Sequence, residues 1–386
     1  MEKKETLLEK IFSKDQINKG RAREMDLGRA ILIVSLAFVH CTIECTPEED
    51  LAYGMAFVWD SVIGGVFGAS MFMFVMGLGM VYTRHNSIKD FVKRGLNLIA
   101  LGYALNIARV GIPFLIGYQI SGDKEHFIEP LIYHILSNDI LIFAGLAFLA
   151  MALFRALKMS NLMMAIAALL MQLLCQLVNG IDLGSPLLNI FVGYFVGTED
   201  AAGMVLSDFP LCHWLIIPVS GYIFAQIFVK VKNLNLFYLT FSPIFIIFSA
   251  GEVIHGINNE IGMFGEGQNC YYHISFHDVI VCMASVFALI AIYYFIMKIL
   301  PGFVKKLIYR ISDDITEVYF IHWIFASSIT RVYLYIKNGT QILPFNQTMI
   351  LAGCIFLVSF GLAELLNRVI KPKMFKEKKH EKECIS

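Results

Sequence analysis

The sequence predicts an all-α, polytopic integral membrane protein built as a bundle of about ten transmembrane helices. Hydrophobic residues make up 57% of its 386 residues and charged residues only 16%, whereas soluble domains carry about 25% charged residues. Apolar stretches of spanning length recur along the whole chain. Because such a chain cannot cover its apolar surface in water, a soluble enzyme, a disordered protein and a nucleic-acid-binding protein are excluded, and lipids are expected around it.

Ten stretches have the length and composition of a membrane-spanning helix. They lie near 28–46, 60–83, 94–117, 131–155, 161–180, 211–230, 236–254, 277–300, 314–336 and 347–370. The apolar segment 185–197 is too short to span and is predicted to be re-entrant or interfacial.

Lysine and arginine concentrate in alternate loops, which predicts both termini in the cytosol. The basic segments are the N-terminus, 84–94, 155–158, 230–232, 298–310 and the tail from Arg368. We expect residues 1–26 to form a cytosolic amphipathic segment whose first 25 residues are helical, 27–371 the transmembrane domain and 372–386 a basic cytosolic tail. We also expect that no cleavable signal peptide precedes the first span and that the protein resides in the plasma (inner) membrane of a bacterium.

The eight cysteines show neither CxxC nor zinc-ligand spacing, so the sequence predicts no disulfide framework and no metal site. The loop 251–278, on the predicted outer side, is rich in glycine, histidine and acidic residues. It is either a solvated loop or, through Tyr271 and Tyr272, a surface for a sugar or another hydroxyl-rich ligand.

The first span carries three ionisable residues on one helical face. Arg29 and His40 are eleven residues apart, and eleven steps of about 100° return to nearly the same face. Glu44 lies one turn beyond His40. His40 is a candidate general base whose imidazole Glu44 would orient. The alternative is a packing histidine, with Arg29 reaching lipid phosphate.

Other spans also contain polar residues, and groups of this kind inside a membrane are costly unless paired or wetted. Asp139 is the expected counter-ion of Arg109, and His322 competes with His40 for the role of base. A set this large predicts a polar cavity inside the bundle. The candidate substrate-binding residues are Asp60, Asn106, Arg109, His134, Asn138 and Asp139.

Three sequence elements resemble transmembrane acyltransferases. REMDLGRAILIVSLAFVH (23–40) is similar to their opening span. FGASMFMFVMGLGMVYTRHN (67–86) with KRGLNLIALGYALN (93–106) resembles the heparan-α-glucosaminide N-acetyltransferase-like branch. ISDDITEVYFIHW (311–323) resembles a late element of the acyltransferase type 3 family. The reactive histidine that the first branch places in an outer loop has no counterpart in 46–60.

The resemblance implies transfer of an acyl group, usually acetyl, from cytosolic acyl-CoA to an acceptor on the other side of the membrane, commonly a glycan or envelope component. It implies His40 as the catalytic candidate and Arg29 as its motif partner, with Arg29, Lys93 and Arg94 facing the CoA phosphates. A base at the nucleophile and a donor at the oxyanion would suffice for the chemistry, the donor being Asn106, Asn138 or Arg109. The alternative reading is a proton-coupled secondary transporter of a small polar solute.

Overall fold

The computed structural model describes residues 5–51, 53–199, 208–259 and 271–372. Within these ranges the protein is all-helical and has no strand. Nearly all of the predicted basic tail 372–386 lies outside the described residues. The helices are α1 (Leu7–Ile11), α2 (Arg23–Cys45), α3 (Gly54–Tyr82), α4 (Ile88–Ser121), α5 (Lys124–Ala156), α6 (Asn161–Gln176), α7 (Pro186–Gly193), α8 (Leu211–Phe228), α9 (Leu234–Asn259), α10 (Phe276–Ile299), α11 (Gly302–Asp313), α12 (315–338) and α13 (Phe345–Ile370).

Eight of these helices are long and apolar enough to cross a membrane: α2, α3, α4, α5, α8, α9, α10 and α13. They match eight of the ten predicted spans, so the protein is a multi-pass membrane protein. The other two segments are helical but fall short. α6 has only 16 residues, about 24 Å of helix against about 30 Å of hydrocarbon, and α12 carries Glu317, His322 and Arg331. A count of ten spans therefore stays a prediction.

The N-terminal segment forms less helix than the sequence suggested. Only Leu7–Ile11 is helical, and the chain then runs extended: Phe12 bridges to Val231, and the Ser13 N–H donates to the Lys230 carbonyl (2.8 Å). Hydrogen bonds to the neighbouring turn replace the bonds that a longer helix would make within itself. The same contacts bring the N-terminal segment beside the basic turn 230–232, as the charge alternation predicts.

The two ends of the chain lie at one end of the bundle. The Arg21 guanidinium binds the carboxylate of Asp313 at 2.8 Å, and Arg368 reaches Asp314 at 3.3 Å. The last turns of α13 and the N-terminal segment therefore meet the same stretch of chain between α11 and α12. This is the arrangement that two termini on the same side of the membrane require.

Close helix packing and exposed apolar faces divide the bundle into a core and a periphery. A side chain at Gly77 of α3 would collide with the backbone of Pro218 in α8, and one at Gly221 would collide with the backbone of Phe74. Glycine therefore lets these two backbones touch, as in other membrane helix pairs. By contrast α9 and α13 are the least buried of the candidate spans, and Ile247 is 73% exposed. These two helices present apolar faces suited to lipid.

Candidate functional site

Three of the charged residues inside the bundle lie in widened, π-helical turns. Asp60 belongs to the segment Val58–Ala69, Arg109 to Ile107–Gly111 and Arg331 to Ser328–Leu334. Such turns are rare and concentrate at functional sites because they change the direction of a side chain. Thus α3, α4 and α12 all lose regular geometry where they carry charge.

The predicted span 131–155, which lies in α5, is broken at the site. Between its helical pieces Leu131–Leu136 and Ile140–Ala156, residues 137–139 leave the helix. The Asn106 side chain donates to the carbonyls of Ile135 (3.1 Å) and Ser137 (3.0 Å), two groups that the break would otherwise leave unpaired. Irregular backbone at membrane depth is tolerated where protein or a cavity surrounds it.

The remaining polar residues of the break are also bound within the protein. Asp139 caps the following helix by accepting hydrogen bonds from the N–H groups of Leu141 (3.0 Å) and Ile142 (3.2 Å). The Asn138 amide donates to the Phe209 carbonyl (2.7 Å). Asn106, Asn138 and Asp139 therefore build the break, and direct contact of these residues with a substrate stays a prediction.

Arg109 contacts two other predicted site residues, Asn106 and Asp139. Its Nε donates to Asn106 Oδ1 (3.1 Å), and its terminal nitrogen lies 4.0 Å from Asp139 Oδ2. The predicted pairing of Arg109 with Asp139 is confirmed as an ion pair at this distance. The guanidinium also lies over the indole ring of Trp323, 4.4 Å from the ring centroid. A buried cation is thereby held at the face of an aromatic residue of α12.

The two candidate histidines lie side by side. The ring of His40 in α2 stacks on that of His322 in α12, with 5.6 Å between centroids, and contacts Trp323 at 3.9 Å. The sequence placed them 282 positions apart in separate spans, and the fold joins them into one cluster. We call His40, His322, Trp323 and Arg109 the histidine cluster.

The orientation of the His322 ring is fixed by its backbone. Its Nδ1 lies 3.2 Å from the Val318 carbonyl oxygen, which can only accept, so Nδ1 carries the proton. In the neutral ring Nε2 then has a free lone pair, and this buried atom has no hydrogen-bond partner among the described residues. His40, in contrast, has only ring contacts within the described part of the chain.

Glu44 binds an arginine rather than His40. Arg331 of α12 donates from Nε to Glu44 Oε2 at 2.8 Å and from a terminal nitrogen to Oε1. The expected orientation of His40 by Glu44 is therefore corrected, because the hydrogen bonds of the Glu44 carboxylate among the described residues go to Arg331 and none goes to His40. Arg331 also reaches His134 Nδ1 at 3.5 Å.

The Glu44–Arg331 pair and His134 line an open cavity of about 630 Å³. Polar residues continue toward its mouth: Asp123 accepts hydrogen bonds from the Tyr335 hydroxyl (2.7 Å) and from the backbone N–H of His126 (3.0 Å). These bonds hold the pKa of the Asp123 carboxyl below its usual value. Glu44 is one helical turn from His40, so the cavity approaches the histidine cluster to within about 6 Å along α2.

Asp208 is a functional candidate that the sequence did not reveal. It accepts a hydrogen bond from the Ser137 hydroxyl at 2.8 Å, and burial raises its pKa while Arg109 and Arg331 oppose that shift. It therefore lies in the field of both site arginines. Its position before α8 in a loop gave no periodic signal. Only the Asp-Phe-Pro sequence, typical of a helix start, marks it.

Tyr272, a residue of the outer loop, interacts electrostatically with the same charged residues of the site. Burial raises the pKa of its hydroxyl, and the carboxylates of Asp208, Asp60 and Glu44 raise it further. Asp60 otherwise accepts a hydrogen bond from the Ser61 hydroxyl (3.1 Å). Asp60 thus contributes to the electrostatics of the site, although it forms no ion pair with any of the residues that the structure describes.

The three cations predicted to face CoA separate into two groups at the other end of the bundle. Arg29 lies 4.0 Å from Asp26 and within electrostatic range of Arg94, whose guanidinium lies 5.0 Å from the ring centroid of Phe148. Lys93 instead lines an open, largely apolar groove of about 380 Å³ on the exposed face of α4. Arg29 and Arg94 therefore share a location that Lys93 does not.

Comparisons with known proteins identify the family. Residues 21–251 match the family model described as heparan-alpha-glucosaminide N-acetyltransferase, catalytic. No curated protein and no solved structure matches the chain. The matched region is more than half of the chain and contains α2 through most of α9, with His40, Arg109 and the break in α5. The chain belongs to the heparan-α-glucosaminide N-acetyltransferase catalytic-domain family, a family of transmembrane acetyltransferases that use acetyl-CoA as donor.

Proposed function

We propose that this protein transfers an acetyl group from cytosolic acetyl-CoA to an amine or hydroxyl of an acceptor that arrives from the other side of the membrane. The acceptor would be a glycan or another envelope component, in the plasma membrane of a bacterium. The observation that carries the proposal is the pair His40–His322 in a chain of this family, with one imidazole nitrogen oriented and unbonded. A proton relay in a transporter would also use intramembrane histidines, so it is the family match that favours acetyl transfer over transport.

The chemistry assigned to His322 is that of a general base. Its Nε2 takes the proton from the acceptor N–H or O–H as that atom attacks the acetyl carbonyl carbon. The new C–N or C–O bond forms, the C–S bond of the thioester breaks, and CoA leaves as a thiolate. The proton held on the imidazole then returns to the leaving sulfur. His40 packs against the His322 and Trp323 rings and is the second candidate for the proton-transfer role.

Arg109 is the best-placed donor for the negative charge that develops on the carbonyl oxygen. The sequence left three candidates, but both amide donors of Asn106 and one of the two of Asn138 are bonded to backbone carbonyls. The guanidinium has five N–H donors, of which one is bound to Asn106 and another lies near Asp139. The rest remain for the oxyanion, where a fixed donor is worth most.

The acceptor would occupy the 630 Å³ cavity. Hydroxyl-rich molecules suit a pocket lined by carboxylates, imidazoles and a tyrosine, because each of these groups can exchange hydrogen bonds with a sugar. Tyr335 stacks on His126 with 3.5 Å between ring centroids, which gives the mouth a rigid aromatic wall. His134, which lines this cavity, would contact the acceptor directly.

The donor would bind from the end at which the termini lie. Arg29 and Arg94 converge there and supply the positive charge for the CoA phosphates. Lys93 would contribute less to the binding of the CoA phosphates, since the groove that it lines opens on the exposed face of α4. The pantetheine arm would have to pass inward along α2 for the thioester to reach His40.

The experiment is an acetyl-transfer assay on the purified protein in lipid nanodiscs. Radiolabelled acetyl-CoA is supplied with amino-sugar and hydroxyl-sugar acceptors, and the release of free CoA thiol is measured beside the labelled product. Equal amounts of thiol and acetylated acceptor are expected, and His322→Ala should lower the rate of formation of both by about 10²–10⁴-fold. Protein that neither binds acetyl-CoA nor acetylates an acceptor, yet moves a polar solute across vesicles, would overturn the proposal in favour of the transporter.

A further inference from the structure

The C-terminal turn of α6 and the first turn of α8 are joined at one backbone carbonyl. Gln172 and Gln176 of α6 donate to the Ile274 oxygen at 2.8 and 3.4 Å. His213 of α8 lies with its Nδ1 3.4 Å from the same oxygen. The junction is therefore fixed by side chains from two helices that are distant in sequence.

A cysteine from each helix lies inside this junction. Cys175 precedes Gln176 and Cys212 precedes His213, and the two thiols lie within hydrogen-bonding reach of each other. Cys175 is buried, Cys212 is half-buried, and both are free thiols. The Cys212 backbone is held as well, because its N–H donates to the Phe195 carbonyl at 2.9 Å. The two thiols therefore face each other within the junction.

The charge alternation places this junction on the outer side of the membrane. The end of α6 and the start of α8 flank the loop 181–210, which carries no lysine or arginine. Disulfides form and persist outside the cytosol, whereas cytosolic thiols are kept reduced. The proximity of the two thiols and their expected place outside the cytosol therefore both favour a disulfide.

We propose that Cys175 and Cys212 form a disulfide in the mature protein. A thiolate of the pair attacks the disulfide of an extracytoplasmic dithiol oxidant, and the second cysteine resolves the mixed disulfide. One S–S bond forms between α6 and α8, and the oxidant leaves as a dithiol with the two electrons and two protons. The bond ties the short helix α6 to the segment that carries Phe209 and Asp208 into the functional site.

The test reads the bond directly and requires no enzymatic activity, so it is independent of the proposed function. Membranes are treated with N-ethylmaleimide before any reductant, and the protein is digested and analysed by mass spectrometry. We expect a cross-linked pair of peptides, lighter than the two thiols by two hydrogen atoms. Only after reduction should both cysteines take up the label.

Variants separate the bond from general folding effects. Cys212→Ser should leave Cys175 open to alkylation after denaturation and lower the Tm as much as reduction lowers that of the unmodified protein. Cys282→Ser, which removes a buried thiol elsewhere, should keep both the cross-link and its sensitivity to reductant. Labelling of both thiols before reduction, or a cross-link of Cys212 to Cys270 in their place, would overturn the proposal.

Discussion

Replacement of His322 by alanine is expected to lower the kcat/KM for acetyl transfer by about 10²–10⁴-fold, the usual contribution of a positioned base. At about 1.4 kcal/mol per decade this corresponds to about 3–5 kcal/mol of transition-state stabilisation. The single 3.2 Å bond to the Val318 carbonyl contributes only about 1 kcal/mol to folding. Because the variant also loses the packing of a buried ring, thermal denaturation measured on the same nanodisc samples should show that it is folded at the temperature at which acetyl-CoA turnover is measured.

The comparison with His40 decides which ring accepts the proton. His40→Phe keeps an aromatic ring against Trp323, where the contact is 3.9 Å between centroids, and removes only the nitrogen atoms. We expect its loss of kcat/KM to be at least about tenfold smaller than that of His322→Ala. His277→Ala, a change of an exposed histidine at the start of α10, is the matched control and should be silent. An equal or larger loss in His40→Phe would refute the argument from the Val318 bond and transfer the role of base to His40.

Three further predictions follow from the charges around the histidine cluster. Glu44→Gln and Arg331→Met should each destabilise the protein, and the double variant should recover part of the loss. The coupling energy should be about 1–3 kcal/mol in SDS-induced unfolding, and strictly additive losses would show that the ion pair is not formed. Because burial raises the pKa of Asp208, its carboxylate is protonated at a higher pH than a free aspartate. Activity should then fall on the acid side above the usual aspartate range, and Asp208→Asn should remove that limb from the pH profile; an unchanged profile would exclude Asp208. Arg94→Glu should raise the KM for acetyl-CoA at least about tenfold with little change in the KM for the acceptor, whereas Lys93→Glu should have a smaller effect. Equal changes in the two KM values, or none, would indicate lipid anchoring for both residues.

The helices and their relative sides could be predicted because they depend on local composition. Eight apolar stretches are long enough to span, and the basic turn 230–232 lies beside the N-terminal segment as the charge alternation requires. The length of the N-terminal helix could not be predicted in this way. Its backbone hydrogen bonds go to residues more than two hundred positions away, and no pattern within the segment itself reports that.

The residues of the site could be predicted better than the residues with which they form hydrogen bonds and ion pairs. Ionisable residues in apolar spans can be recognised from the sequence as candidates, since placing each of them inside a membrane costs free energy. A periodic face showed that His40 and Glu44 lie together on α2, but the arginine that binds Glu44 is 287 positions away. Pairing across helices depends on how the bundle packs, and one sequence does not contain that information.

The break in α5 was missed although its residues carried a local signal. Ser137, Asn138 and Asp139 are three consecutive residues of the kind that cap helices, and they interrupt an otherwise apolar stretch. A continuous span over these residues would instead leave Asn138 and Asp139 free to bind a substrate. In the structure Asp139 caps the helix that begins after the break, and Asn138 donates to the Phe209 carbonyl, so the capping preference is the stronger of the two indications.

The irregular backbone explains how so much charge is accommodated inside this bundle. A regular helix uses its own carbonyls and projects side chains at fixed angles, so a buried arginine on such a helix finds its partners only by chance. Here Arg109 and Arg331 both lie in widened turns, and Asp139 stands at the first turn of a helix that restarts inside the bundle. The restart aims backbone N–H groups at the Asp139 carboxylate and so keeps this anion beside Arg109. Regularising either arginine's turn, by deleting one residue from 107–111 or from 328–334, would change the direction in which that arginine side chain leaves the helix. In the first case Arg109 would lose its contact with Trp323, and in the second Arg331 would lose its bond to Glu44 at the cavity. The apolar spans themselves would remain long enough to insert.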